Sequence, residues 1–125
     1  MPSQIKITIS NVILSAKLFD TPCAKAVLEA LPFETSPNEW GDEFYFSIPV
    51  KTPLDETATT KVRVGDIGYW PTGNALAIFF GPTPISTGSE PMPTSEVNLV
   101  GKIIGDVTIL KKAKGAGKIK ITTWC

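Results

Sequence analysis

Apolar residues recur at every second position in the first part of the chain. Ile5, Ile7 and Ile9 are separated by polar residues, and Val12, Leu14, Ala16 and Leu18 keep the same period after Asn11. A period of two predicts two half-buried strands joined by a tight turn. The period changes in "DTPCAKAVLEALPF". Asp20 or Thr21 can cap a helix there, Pro22 suits its first turn, and Ala26, Val27, Ala30 and Leu31 form an apolar stripe. Pro32 ends it.

Alternation returns in "GDEFYFSIPV", with Phe44, Phe46 and Ile48 on one side and Tyr45 and Ser47 on the other. Residues 51–60 form a polar loop. "KVRVGDIGYW" and "NALAIFF" predict two further strands around Pro71-Thr72-Gly73-Asn74. The following "GPTPISTGSEPMPTS" carries four prolines, and structureless stretches of that length are usually functional or mobile. "VNLVGKIIGDVTIL" and "GKIKITTW" supply the last strands, with a turn at Gly115-Ala116-Gly117. About eight short strands and one clear helix predict a mainly β fold, a closed barrel rather than a doubly wound sheet.

At 125 residues the chain is expected to form a single domain, 1–125, with room for one core. It is 42% hydrophobic and 19% charged, a globular composition. The net charge is zero but unevenly placed. Five lysines crowd residues 111–120, leaving seven basic and twelve acidic groups in residues 1–110. That cluster reads as a solvated terminal hairpin whose lysines discourage edge pairing. A nucleic-acid partner is not expected. With no histidine, the usual zinc sets and every imidazole-based triad are excluded, so no metal and no cofactor are expected. The two cysteines, Cys23 and Cys125, form no Cys-x-x-Cys. The first ten residues lack an apolar leader and no segment nears eighteen apolar residues. No membrane is expected as a partner, and a cytoplasmic protein with reduced thiols is.

Candidate chemistry is sparse. Glu39, Asp42 and Glu43 cluster, and paired carboxylates can act as acid and base. Two near-adjacent acids at a strand start are more often a hydrated turn. Ser47, Ser86, Ser89 and Ser95 have no histidine to activate them, and a partner in Lys51 or Lys102 is a weak alternative. The glycines of "GPTPISTGSE" do not lie between a strand and a helix, so no phosphate loop is implied.

The segment "GYWPTGNALAIFFGPTP" holds the most specific pattern. Ile67 and Tyr69 share one face with Leu76, Ile78 and Phe80, the bulky core-like set. Asp66, Gly68 and Trp70 fall on the other face with Ala75, Ala77 and Phe79. A floor of small residues beside one indole makes a shallow apolar slot, with the indole N–H left to orient a ligand. Alternatively, Trp70 lies across Pro71 or under the proline-rich loop and fills the hole itself.

Four stretches, "LFDTPCAKAVLEALPFE", "WGDEFYFSIPV", "GDIGYWPTGNALAIFFGPTP" and "VNLVGKIIGD", resemble the small prokaryotic cyclophilin-like domain family. Together they cover most of residues 12–110. The more distant likeness to classical cyclophilins rests on Asp20–Leu31 and Gly65–Phe80. The resemblance implies a closed eight-stranded antiparallel barrel with a helix plugging each end, the second near Thr94–Val97. It also implies a ligand groove on the outer face, where a small residue usually stands in place of Trp70. Tyr45, Trp70, Phe79, Thr83 and Asn98 are the expected contacts, with Arg63 as a polar anchor.

Classical cyclophilins twist a prolyl bond with an arginine on a central strand. The corresponding residues 39–50 contain no arginine, glutamine or histidine, and Arg63 sits in another segment. The barrier of about 20 kcal/mol needs a donor aimed at the prolyl nitrogen. The expected function is therefore binding of a small molecule or peptide, proline-containing peptides included, with no catalytic residues assigned. A weak prolyl isomerase, or another enzyme with a relocated site, is the alternative. A homodimer burying the aromatic face is a third reading.

Overall fold

The computed structural model describes residues 3–123. Trp124 and Cys125, the second thiol of the sequence, lie outside them. The fold is mainly β and antiparallel. β1 (Ser3–Ile9) and β2 (Val12–Leu18) form a hairpin, with Ser10 at φ 54° in its two-residue turn. Ile5, Ile7 and Ile9 are buried, as the period of two requires.

Helix α1 (Pro22–Ala30) follows. The Thr21 side chain accepts from the Ala24 N–H at 3.2 Å, and Pro22 opens the first turn. Its buried residues are Cys23, Ala24 and Val27, so the inward stripe starts nearer the N-terminus than the expected Ala26–Leu31 set. The expected residues Ala26, Ala30 and Leu31 pack on the core from its margin. Burial pushes the Cys23 thiol above its ordinary value.

β3 (Phe33–Thr35) and β4 (Asn38–Glu39) are short, and β5 (Glu43–Ser47) returns to a full strand. Then come β6 (Ala58–Thr59), β7 (Asp66–Trp70), β8 (Ala75–Phe79), β9 (Val97–Ile104) and β10 (Ile119–Thr123). The strand order is β3-β10-β1-β2-β9-β7-β8-β5-β4, with β6 paired on β9. This departs from the expectation of eight strands in a closed barrel. The sheet has ten strands, nine of them along the hydrogen-bonded path, and that path is open between β3 and β4, although only Ser36 and Pro37 separate those two along the chain.

Two other expectations change. Residues 61–65 are not strand: the Arg63 N–H donates to Asp66 Oδ2 at 2.8 Å and the Asp66 N–H to the Arg63 carbonyl at 3.0 Å, closing a turn before β7. The second capping element is not at Thr94–Val97, where β9 begins. It is the 3₁₀ segment Val107–Ala113, which interrupts the long strand expected through Leu110. Asp106 causes the change, because its Oδ1 accepts from the Thr108 N–H at 3.0 Å and starts the turn. Leu110 and Ala113 are then buried. Helix α1 follows the end of β2, whereas this segment follows β9, which runs antiparallel to β2, so the two caps stand at opposite ends of the sheet.

The main core fills the concave side of the sheet and includes Phe44, Phe46, Ile67, Tyr69, Leu76, Ile78 and Phe80. Phe44 and Phe80 stack with ring centroids 4.7 Å apart. A second, smaller cluster of Val62, Ala77, Phe79 and Val97 sits on the opposite face. Tyr45, Trp70 and Leu99 pack against it.

Candidate functional site

Ala77, Phe79 and Val97 of the second cluster, with Tyr45 and Trp70, line a pocket of about 160 Å³. β8 supplies the floor with Ala75, Ala77 and Phe79, β5 one wall with Glu43 and Tyr45, and β7 the other with Trp70. Trp40, Val97 and the loop residues Pro93 and Thr94 complete it. The register explains the arrangement. Glu43 stands opposite Phe79, Tyr45 opposite Ala77 and Trp70 opposite Ala75, so the side chains flanking β8 on its outer face converge over two alanines.

Gly68 underlies the Val97 side of the pocket. A Cβ there would lie 2.7 Å from Val97 Cγ2, so only a glycine lets Val97 settle against the sheet. Trp70 is half-buried. Its six-membered ring lies over Gly73, where a Cβ would come within 2.9 Å of Cε3 and Cζ3. The indole N–H donates to Ser95 Oγ at 2.7 Å. It is therefore not left to orient a ligand, as the slot reading expected, but ties the pocket wall to the proline-rich loop. The ring leans on its own turn without filling the pocket.

That loop is folded back on itself. Thr83 Oγ1 donates to the Met92 carbonyl at 2.6 Å and the Thr83 N–H donates to Ser86 Oγ at 2.8 Å. Its start is pinned to the turn before β5, where the Asp42 N–H donates to the Pro82 carbonyl and the Phe80 N–H to the Asp42 carbonyl. Gly41 sits at φ +62°, and a Cβ there would lie 2.8 Å from Pro84 Cδ and 2.9 Å from the Pro82 carbonyl oxygen.

Of the six expected contacts, Tyr45, Trp70 and Phe79 come together in the pocket. Thr83 stands outside it as the staple of the loop. Asn98 is fully buried and holds residues 53–55: its Oδ1 accepts from the Asp55 N–H at 2.8 Å and its Nδ2 donates to the Pro53 carbonyl at 3.1 Å. Arg63 is exposed in its turn and faces residues 87–92 of the loop, away from the pocket.

The three clustered acids part ways. Glu39 Oε2 accepts from the Gly115 N–H at 2.5 Å. Asp42 pairs with Lys114 at 2.5 Å and Lys111 at 3.8 Å. Glu43, read from the sequence as part of a hydrated turn, is instead 7% exposed in the pocket wall, and its Oε1 has no hydrogen-bond partner. Burial pushes its carboxyl up to about 7. The signal was available: Glu43 lies two residues before Tyr45 and so shares its face.

Among the described residues no cluster of His, Cys, Asp or Glu could hold a metal, and no helix is long and apolar enough to cross a membrane. No curated protein matches the chain. Among solved structures, the hypothetical protein AF2241 from Archaeoglobus fulgidus is similar, with TM-score 0.83 and 30% identity over 98% of this chain and 95% of that one. McbB, whose structure was solved in complex with tryptophan, shares the fold at TM-score 0.71 and 16% identity. The likeness covers 96% of this chain and 44% of McbB. The cyclophilin-like family model matches residues 3–122, both caps and all of the sheet but its last residue, and the chain belongs to the cyclophilin-like family.

Proposed function

We propose that the chain is a binding protein whose ligand, a small molecule or short peptide, occupies the outer-face pocket beside Trp70. The observation that carries this is the pocket itself. The floor is Ala75, Ala77 and Phe79, the walls are aromatic apart from Glu43, and Trp70 packs on Gly73 and bonds to Ser95. Concave, mostly apolar surfaces with few polar groups are the usual form of small-ligand sites. Tyr45, Trp70 and Phe79 are the contacts in this reading. Thr83 and Asn98 act at one remove, by holding the loops that flank the pocket. Arg63 is set aside as an anchor.

A prolyl isomerase is not favoured, since no arginine lines the pocket. In a protease-coupled assay the protein should accelerate prolyl exchange far less than a classical cyclophilin. Comparable turnover, lost on Arg63→Ala, would reverse that judgement. For binding, the test is a fragment screen read by the indole N–H resonances of Trp40 and Trp70. Hits should shift both. Saturable binding that shifts neither indole, or that survives Trp70→Ala and Tyr45→Ala unchanged, would move the site elsewhere.

The same reading takes the curved sheet as a barrel closed through Ser36 and Pro37. Residues 33–39 then count as one bent strand, and setting aside the two-residue β6 leaves eight. Slow amide exchange at the amide-bearing residues of 33–39 would fit closure, and fast exchange throughout would leave the sheet open.

A further inference from the structure

Among the described residues, Glu43 is the one charged side chain in the pocket wall, and it is over nine-tenths buried with Oε1 unpartnered. Leaving such a group unsatisfied is costly, and native chains rarely do so without a use for it. The nearby cations are committed elsewhere: Lys111 and Lys114 both reach Asp42 on the preceding residue. Among the described residues, Tyr45 is the only other titratable group lining the pocket. The indole N–H of Trp70 is already given to Ser95. The pocket thus offers a carboxyl that lacks a donor, surrounded by aromatic rings.

Those two features select for one chemistry. An organic ammonium ion brings N–H donors to a carboxylate, and its positive charge is attracted to the faces of aromatic rings. An anionic ligand would meet like charge with no basic residue to offset it. Size narrows the class further. A cavity of about 150 Å³ can hold one benzene ring, and this one is about 160 Å³.

We propose that the pocket binds a protonated primary or secondary amine on a single-ring or similarly small apolar body. Glu43 receives the ammonium group, and the body lies against Tyr45, Trp70 and Phe79. This inference rests on the pocket being the ligand site and adds the class of ligand. Burial raises the Glu43 carboxyl to about 7. An arriving ammonium ion favours its ionised form, so binding is accompanied by proton release to solvent.

The experiment titrates matched pairs, benzylamine against benzyl alcohol and 2-phenylethylamine against 2-phenylethanol, with 2-phenylacetamide as a neutral amide. Each is followed by the Trp40 and Trp70 indole resonances. Each amine should bind at least tenfold tighter than its alcohol. Glu43→Gln keeps the shape, and should bring that ratio close to one while changing alcohol affinity less than threefold. An alcohol within threefold of its amine, or an amine preference that survives Glu43→Gln, would overturn the ammonium assignment and leave the pocket reading standing. Tighter binding of 2-phenylacetamide than of the amines would do the same, by showing Glu43 to act as a protonated donor. If no compound shifts either indole, both readings fall.

Discussion

The two faces of the β5–β8–β7 ladder use the same strands and reach opposite ends. On the concave face Phe44, Phe46, Tyr69, Leu76, Ile78 and Phe80 fill all the space, and the one polar atom among these side chains is satisfied: the Tyr69 hydroxyl donates to the Val50 carbonyl at 2.6 Å. On the convex face the large residues stand apart over alanines, and a carboxyl oxygen is left without a partner. Alternation along a strand assigns residues to faces with little ambiguity. It says nothing about whether a face closes on itself. Closure depends on size: bulky side chains at facing positions make a core, while alanines between large neighbours leave a hollow.

Truncating each face should expose the contrast most sharply. Tyr69→Ala removes a fully buried ring and its hydrogen bond, and should cost about 3–5 kcal/mol. Trp70→Ala gives up one hydrogen bond and a ring packed on one side, and should cost about 1–2 kcal/mol. Urea unfolding of the two variants measures both. A larger loss at Trp70 would mean that the convex face is the better packed one.

The next effect depends on pH. A carboxyl raised in the folded state from 4.5 to about 7 keeps its proton there after the unfolded chain has lost it. Stability is then fully present below pH 4.5 and declines as pH rises through 7. Above that the penalty reaches about 3 kcal/mol. Glu43→Gln should therefore match the parent near pH 4 and exceed it by up to about 3 kcal/mol near pH 8. Paired urea midpoints at the two pH values test this, and a difference that does not change with pH would place the carboxyl in contact with solvent.

The smallest effect is expected at Ser95. Ser95→Ala removes the acceptor for the indole and should cost about 1 kcal/mol or less. It should nevertheless shift the Trp70 indole resonance clearly while leaving that of Trp40 nearly in place. An unmoved Trp70 resonance would show that the wall and the loop are not tied.

Much of this arrangement is legible in the residues. The hairpin of β1 and β2, the Thr21–Pro22 helix start, and the sorting of Tyr69 from Trp70 all follow from local pattern. What local pattern missed was set by contacts distant in sequence. Asn98 reads as a candidate contact until residues 53–55 are seen to close over it. Glu43 looks like half of a solvated acidic pair until Phe79 is found opposite it and Lys111 and Lys114 are found on Asp42. The strand expected through Leu110 stops at Ile104 because Asp106 and Thr108 form a cap that the apolar alternation conceals.

The ends of the strand path bear on how copies of this chain can meet. Its terminal strands, β3 and β4, are three and two residues long, and Pro32 and Pro37 immediately precede them. Proline has no N–H to offer, and so short an edge gives an incoming strand little to pair with. Growth of the sheet from molecule to molecule at these ends is blocked by the same segment that brings them together. What these ends leave available to a second copy is the faces of the sheet rather than its edge.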